Sequence, residues 1–68
     1  MAVYYVNRKA QSNRNHEIHK VGCIHMADEK NRILLGDFYT CFDAIRIAKR
    51  IYKNSDGCFY CSKECHSG

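Results

Sequence analysis

Alternation of apolar and polar residues in the first half of the chain predicts a β-hairpin. Residues 2–6 are rich in β-branched and aromatic side chains, which favours a first strand. Residues 7–15 are polar apart from Ala10, a composition that is typical of a loop. Residues 17–21 alternate again and predict a second strand that pairs with the first. This alternation places Glu17, His19 and Val21 on one face of the second strand.

Helical spacing of apolar positions in the second half predicts one amphipathic helix. A third strand comes before it at residues 33–35, and residues 36–37 are expected to bend that strand. Thr40 is the expected N-cap, and Asp43 completes a pair that resembles a capping box. Turn-forming residues 54–57 end the helix. Its apolar stripe consists of Cys41, Ala44, Ile45, Ala48, Ile51 and Tyr52.

Two pairs of soft metal ligands lie far apart in the sequence. His19 and Cys23 are four positions apart near the second strand, and Cys58 and Cys61 form a Cys-x-x-Cys pair near the end. Thiolates and imidazoles at such spacings bind a tetrahedral zinc ion. A chain of 68 residues has little core, so a metal cross-link would add stability that packing cannot supply. The sequence therefore predicts one zinc ion bound by these four residues.

Together these elements predict an α+β fold in one domain that covers residues 1–68. We expect a small three-stranded antiparallel sheet with one helix across it and a C-terminal zinc knuckle. Other cysteines and histidines of the chain could take the place of one of the four predicted zinc ligands. Cys65 lies four positions after Cys61 and can replace Cys23. The remaining candidates for replacement are Cys41, His16, His25 and His66.

The cysteines also allow a thiol-based function. A Cys-x-x-Cys pair can be a redox dithiol or two free thiols, but redox pairs usually open a helix after a strand, and this one follows a helix and a turn. Cys41 is either a reactive thiol at the helix N-terminus or a small core residue of the apolar stripe. The alternative to a metal-stabilised module is thus a redox-sensing protein that uses Cys41 or Cys65.

The charge balance permits a polyanionic partner. The chain carries 11 Lys and Arg against 7 Asp and Glu, a formal net charge of +4. This allows contact with nucleic acid or an acidic protein, although many DNA-binding domains are more basic. The cations are also explained as the solvated face of a helix. The candidate nucleic-acid contacts are Arg8, Lys9 and Arg14 in the first loop and Arg46, Lys49, Arg50 and Lys53 on the helix. Tyr4, Tyr5 and Tyr39 are either base-stacking residues or part of the core.

Membrane and secretory signals are not apparent in the sequence. No apolar run reaches the roughly 18 residues of a membrane span, and the first residues lack the basic and apolar regions of a signal peptide. We therefore expect a cytoplasmic protein, and in a reducing compartment five cysteines favour metal binding over disulfides. No paired carboxylates, glycine-rich phosphate loop or Ser-His-Asp set is recognisable, so we predict no enzymatic activity.

The order of the motifs resembles a known family. His-x3-Cys is followed by Asn-Arg-Ile-Leu-Leu-Gly-Asp-Phe at residues 31–38, by Cys-Phe-Asp-Ala at residues 41–44 and by Cys-x2-Cys. This order resembles the metal-binding domain of Ada-type DNA methylphosphotriester repair proteins. It looks even more like the small zinc appendage at the C-terminus of some bacterial thermonuclease-like and competence-related proteins. The resemblance covers residues 16–61 and implies a small α+β zinc domain with ligands at His19, Cys23, Cys58 and Cys61.

The chain departs from that family at the residue that carries its chemistry. His19 occupies the position at which Ada-type proteins have the cysteine that accepts the methyl group. Imidazole is a much poorer methyl acceptor than a zinc-activated thiolate, so the resemblance does not imply repair activity. The segment before Cys58 is also longer than in the appendages, and the Cys65–His66 tail is additional. The expected function is therefore a small zinc-stabilised binding module, with nucleic acid or an acidic protein as the partner of its basic helix face.

Overall fold

One helix lies across a four-stranded sheet in the computed structural model, which describes residues 1–67. The elements in chain order are β1 (Ala2–Asn7), β2 (His16–Lys20), β3 (Arg32–Phe38), α1 (Cys41–Ile51) and β4 (Ser55–Gly57). Short 3-10 turns occur at Glu29–Asn31 and Lys63–Cys65. The α+β class and the single helix are as predicted from the sequence.

The sheet is mixed and has one strand more than the sequence predicted. Its strand order is β3-β1-β2-β4, in which β1 is antiparallel to β2 and β3, and β4 is parallel to β2. The expectation of three antiparallel strands was therefore wrong in detail. Residues 55–57 have the composition of a turn, but their backbone pairs with residues 16–18 at the free edge of β2. A strand of three residues is too short for an alternating pattern to show.

The predicted hairpin is present, and its register separates the two faces of the sheet. Tyr5 pairs with His19 and Val6 pairs with Ile18. Val6 and Ile18 are buried against the helix, so Tyr5 and His19 lie on the opposite face. The core between helix and sheet contains Tyr4, Val6, Ile18, Cys41, Ala44, Ala48 and Cys65.

The helix begins where the sequence predicted, but its N-terminus is not capped as expected. Thr40 occupies the N-cap position without a side-chain hydrogen bond to the helix, and Asp43 instead forms a salt bridge with Arg46. Of the predicted apolar stripe, Ile51 is exposed because it is the last helical residue. Tyr52 follows the helix and stacks on His16 of β2, which joins the end of α1 to the start of that strand.

Gly57 allows the C-terminal tail to pack tightly against β4. The φ of Gly57 is not positive, in contrast to those of Gly22 and Gly36, so no left-handed backbone requires a glycine here. The requirement is for space, because a Cβ at Gly57 would lie 2.6 Å from the carbonyl oxygen of Ser62 and 2.7 Å from Cβ of Cys65. The glycine is needed because two backbone segments meet here.

Gly57→Ala should lower the free energy of unfolding by about 1–3 kcal/mol, as expected for overpacking against backbone that cannot move aside. Denaturant unfolding measures the effect. Gly22→Ala is the informative comparison, because its Cβ would meet nothing within 4 Å and only its φ of +92° is unfavourable. If Gly57→Ala unfolded at the wild-type denaturant concentration, the close approach of tail and strand would be disproved.

Within the part of the chain that the structure describes, no helix has the length and apolar character required to cross a membrane.

Candidate metal centre

The four predicted metal ligands converge at one point. The ligand atoms of His19, Cys23, Cys58 and Cys61 all lie within 4.8 Å of one another. Sγ of Cys23 is 4.0 Å from Sγ of Cys58, and Sγ of Cys61 is 3.8 Å from Nδ1 of His19. His19 and Cys58 are buried, and the other two are partly buried. The arrangement can hold a metal ion between three sulfur atoms and one imidazole nitrogen.

Pairing of β4 with β2 brings the second ligand pair to the first. The N–H of Cys58 donates to the carbonyl oxygen of Ile18 at 3.1 Å, which continues the ladder just beyond β4. The turn after Cys58 is closed by the N–H of Ser62, which donates to the carbonyl oxygen of Cys58 at 2.9 Å. The N–H of Lys20 donates to Sγ of Cys61 at 3.2 Å, so the strand that carries His19 also fixes the last ligand.

A tight turn returns Cys23 to the outer face of the sheet. The N–H of Cys23 donates to the carbonyl oxygen of Lys20, and Gly22 within this turn has a φ of +92°, which a residue with a side chain adopts only with strain. Farther along the loop, the N–H of Ala27 donates to Oδ1 of Asn7. The guanidinium of Arg32 donates to the carbonyl oxygen of Ala27. These contacts hold the loop against β1 and β3.

The environment of His19 favours a neutral imidazole. The side chain is fully buried, and this desolvation, with a smaller contribution from the charge of His25, lowers the pKa of His19 to about 4. Nδ1 is the nitrogen nearest Cys61, and Nε2 lies 3.4 Å from a carboxylate oxygen of Glu17 and 3.2 Å from Nδ2 of Asn7. When Nδ1 binds a metal, Nε2 carries the proton and can donate a hydrogen bond to the carboxylate of Glu17. The predicted placement of Glu17 and His19 on one face is confirmed.

The lowered pKa of His19 should make the protein less stable as the pH falls from about 6.5 towards 4. In this window the unfolded chain binds a proton at His19 that the folded chain excludes, so protonation favours unfolding. Urea midpoints at a series of pH values measure the effect. A midpoint that stayed constant between pH 7 and pH 4 would show that His19 is not buried as a neutral ring.

Burial also affects Cys58. Desolvation raises the pKa of its thiol, although backbone N–H donors of Cys61 and Tyr60 counteract part of this effect. In the metal-free protein Cys58 is therefore a thiol near neutral pH, and a metal ion must displace its proton on binding.

The alternative ligands lie outside the cluster. His16 stacks on Tyr52, and Nδ1 of His66 lies 3.0 Å from the carbonyl oxygen of Gly57. Cys65 does not replace Cys23, because it forms a disulfide with Cys41 across 24 positions of sequence. This pairing differs from the expectation that the cysteines would favour metal over disulfides. Neither Cys41 nor Cys65 is a free thiol, and Cys41 is buried in the core, as one of its two interpretations predicted.

The seven candidate nucleic-acid contacts are all exposed. The cations of the first loop lie at the same end of the molecule as those near the end of α1. The positions of these residues in the sequence did not reveal this proximity. The N–H of His16, at the end of the loop, donates to the carbonyl oxygen of Asn54 at 2.7 Å. Among the tyrosines considered for base stacking, Tyr4 is buried and Tyr5 is covered by the guanidinium of Arg32, whereas Tyr39 is exposed.

Comparison with protein-family models, with curated proteins and with solved structures finds no match to this chain, so its interpretation depends on the geometry of the site.

Proposed function

We propose that this chain is a small binding module whose fold is stabilised by one zinc ion. The observation that carries the proposal is the convergence of four ligand atoms within 4.8 Å. Zinc–sulfur bonds of about 2.3 Å at tetrahedral angles separate two sulfur atoms by about 3.8 Å. The 4.0 Å between the sulfur atoms of Cys23 and Cys58 is close to this value. Soft donors of this type favour zinc over magnesium or calcium.

Four protein ligands support a structural role for the metal. Catalytic zinc sites usually have three protein ligands and keep one position for water or substrate. Here a tetrahedral shell would be filled by His19, Cys23, Cys58 and Cys61. Native mass spectrometry of the chain purified in the presence of zinc should show one ion per chain. Finding no bound metal at neutral pH would reject the proposal.

The partner that we propose is nucleic acid, bound at the basic end, which we define as Arg8, Lys9, Arg14, Lys49, Arg50 and Lys53. The hydrogen bond between His16 and Asn54 joins its two segments. Residues 7–15 and 45–55 contain no carboxylate, so their cations are not neutralised locally. Arg46 lies nearer the N-terminus of α1, away from the basic end, and is paired with Asp43. A cluster of exposed cations attracts phosphates and releases their counterions on binding.

Binding at the basic end should be steeply salt-dependent and weakly sequence-specific. Arg50→Gln should reduce the slope of log K against log salt by about one, because one phosphate contact is lost. Fluorescence anisotropy with a labelled oligonucleotide measures the slope. Arg46→Gln is the matched control, because it removes the same charge from the same helix at a residue that is paired with Asp43 outside the basic end, and it should leave the slope unchanged.

The same titration decides between the two classes of partner. Binding to an acidic polypeptide such as polyglutamate, with no binding to DNA or RNA at low salt, would assign the basic end to an acidic protein. Absence of binding to both would leave the exposed cations as the solvated face of the helix.

We further propose that the module has no enzymatic activity of its own. The resemblance to Ada-type domains supports this, because His19 stands at the position of their methyl-accepting cysteine. The Cys41–Cys65 disulfide leaves neither residue as a nucleophilic thiol, so a thiolate-based activity would first require reduction of this bond. Rapid transfer of one methyl group from methylphosphotriester DNA to a cysteine, detected by mass spectrometry, would overturn this proposal.

A further inference from the structure

Exposed aromatic rings cover the outer surface of the two metal-binding loops. Phe59 and Tyr60 lie between the ligands Cys58 and Cys61, and their side chains are 48% and 71% exposed. His25, from the loop that carries Cys23, stacks on Tyr60 with 4.4 Å between ring centroids. Phe59 meets Tyr60 edge-on at 5.4 Å. His25, Phe59 and Tyr60 therefore form a continuous surface, which we call the ring cluster.

The ring cluster does not contribute to the core between helix and sheet. Its position is instead fixed by the metal-binding turns. The N–H of Tyr60 lies 3.4 Å from Sγ of Cys58 and donates to it, and the N–H of Lys20 donates to Sγ of Cys61. A metal ion at these sulfur atoms would make the turn rigid. Rings that are ordered before binding lose little conformational freedom when a ligand stacks on them.

Geometry leaves one face of Tyr60 for a ligand. His25 stacks on this ring at an interplanar angle of 25°, whereas Phe59 meets it at 88°, a T-shaped contact that covers less of a ring face than stacking does. With 71% of the side chain exposed, the face opposite His25 is open to solvent. An aromatic ring supported on one face and open on the other is a stacking surface for a planar group.

The charges beside the ring cluster favour a nucleic acid over an apolar peptide. The amine of Lys63 is 5.6 Å from the ring centroid of Phe59, which places a positive charge directly beside the ring cluster. Residues 18–27 and 57–63 contain no carboxylate. The four carboxylates that border these segments in sequence are Glu17, which faces His19, Asp28, the buried Asp56 and Glu64. In such a surface the exposed rings can stack on bases while the lysine amine contacts a neighbouring phosphate.

We propose that the ring cluster is a base-stacking site for single-stranded nucleic acid. The open face of Tyr60 accepts an unpaired base, and Lys63 contacts an adjoining phosphate. This inference rests on the proposed nucleic-acid function and narrows it to single strands, because bases within a duplex are already stacked and paired. Every base has a π-face, so the site tolerates different sequences.

Anisotropy titrations of the zinc-loaded chain with a single strand of about 12 nucleotides and with a duplex of the same length test the inference. The single strand should bind more tightly. Tyr60→Ala should weaken single-strand binding about ten-fold, the middle of the range for loss of one stacked base. Tyr60→Phe keeps the ring and should bind like the wild type. Tyr39→Ala removes a tyrosine outside the ring cluster that is still more exposed, at 82%, and should have no effect. Native mass spectrometry confirms that each variant retains its metal.

The outcomes separate this inference from the proposed function. If Tyr60→Ala bound as tightly as the wild type, or duplex and single strand bound equally, the stacking site would be rejected while the basic end remained. A chain that bound no nucleic acid would overturn both. A dimer seen by light scattering and abolished by Tyr60→Ala would show that the ring cluster instead contacts a second copy of the chain.

Discussion

Removal of the metal should abolish the cooperative unfolding transition of this protein. The four ligands connect β2, the loop after it and the C-terminal tail, so one ion cross-links three segments of the chain. Structural zinc contributes about 10–16 kcal/mol in zinc-finger peptides, whereas whole domains are stable by about 5–15 kcal/mol. Circular dichroism melting with and without a chelator measures the loss. The metal-free chain should melt without a sharp transition.

Two substitutions make this test specific. Cys58→Ser removes a ligand with little change in shape and should destabilise the protein at least as much as any truncation in the core. His16→Ala replaces a histidine outside the cluster and should keep the metal and the transition, apart from the lost stacking on Tyr52 and the lost contact of Nδ1 with the carbonyl oxygen of Asn7. A chelated sample with the full wild-type transition would refute the structural role of the metal.

Reduction of the Cys41–Cys65 disulfide should lower the free energy of unfolding by about 3–4 kcal/mol. The bond closes a loop across 24 positions, and release of a loop of this length increases the entropy of the unfolded chain by an amount of this size. Urea unfolding with and without a reductant measures the difference. The metal should remain bound, because neither cysteine belongs to the cluster.

The double variant Cys41→Ser and Cys65→Ser is the control for this effect. A reductant should not change its unfolding midpoint any further. If reduction left the stability of the wild type unchanged, the disulfide would not stabilise the contact between the helix and the tail. Loss of zinc on reduction would show that metal binding depends on the disulfide. Alkylation of the protein directly in cell lysate, followed by mass spectrometry, reports whether the bond exists in a reducing compartment.

Local patterns were sufficient to predict the helix, the hairpin and the identity of the clustered residues. The helix start at Cys41 follows from apolar spacing that depends only on neighbours within a few turns. Pairing of β1 with β2 follows from alternation on both sides of a polar loop. His19, Cys23, Cys58 and Cys61 were recognisable because each pair has the spacing that a single turn imposes on two ligands.

Tertiary contacts decided the features that depend on segments far apart in the chain. Residues 55–57 become a strand only because the edge of β2 is free to pair with them. Cys65 bonds to Cys41 because the tail passes the start of the helix, at the close approach that Gly57 permits. His25 meets Tyr60 because the two metal-binding loops converge. Such neighbours are chosen by packing and by strand pairing over long distances, and no local pattern of residues encodes them.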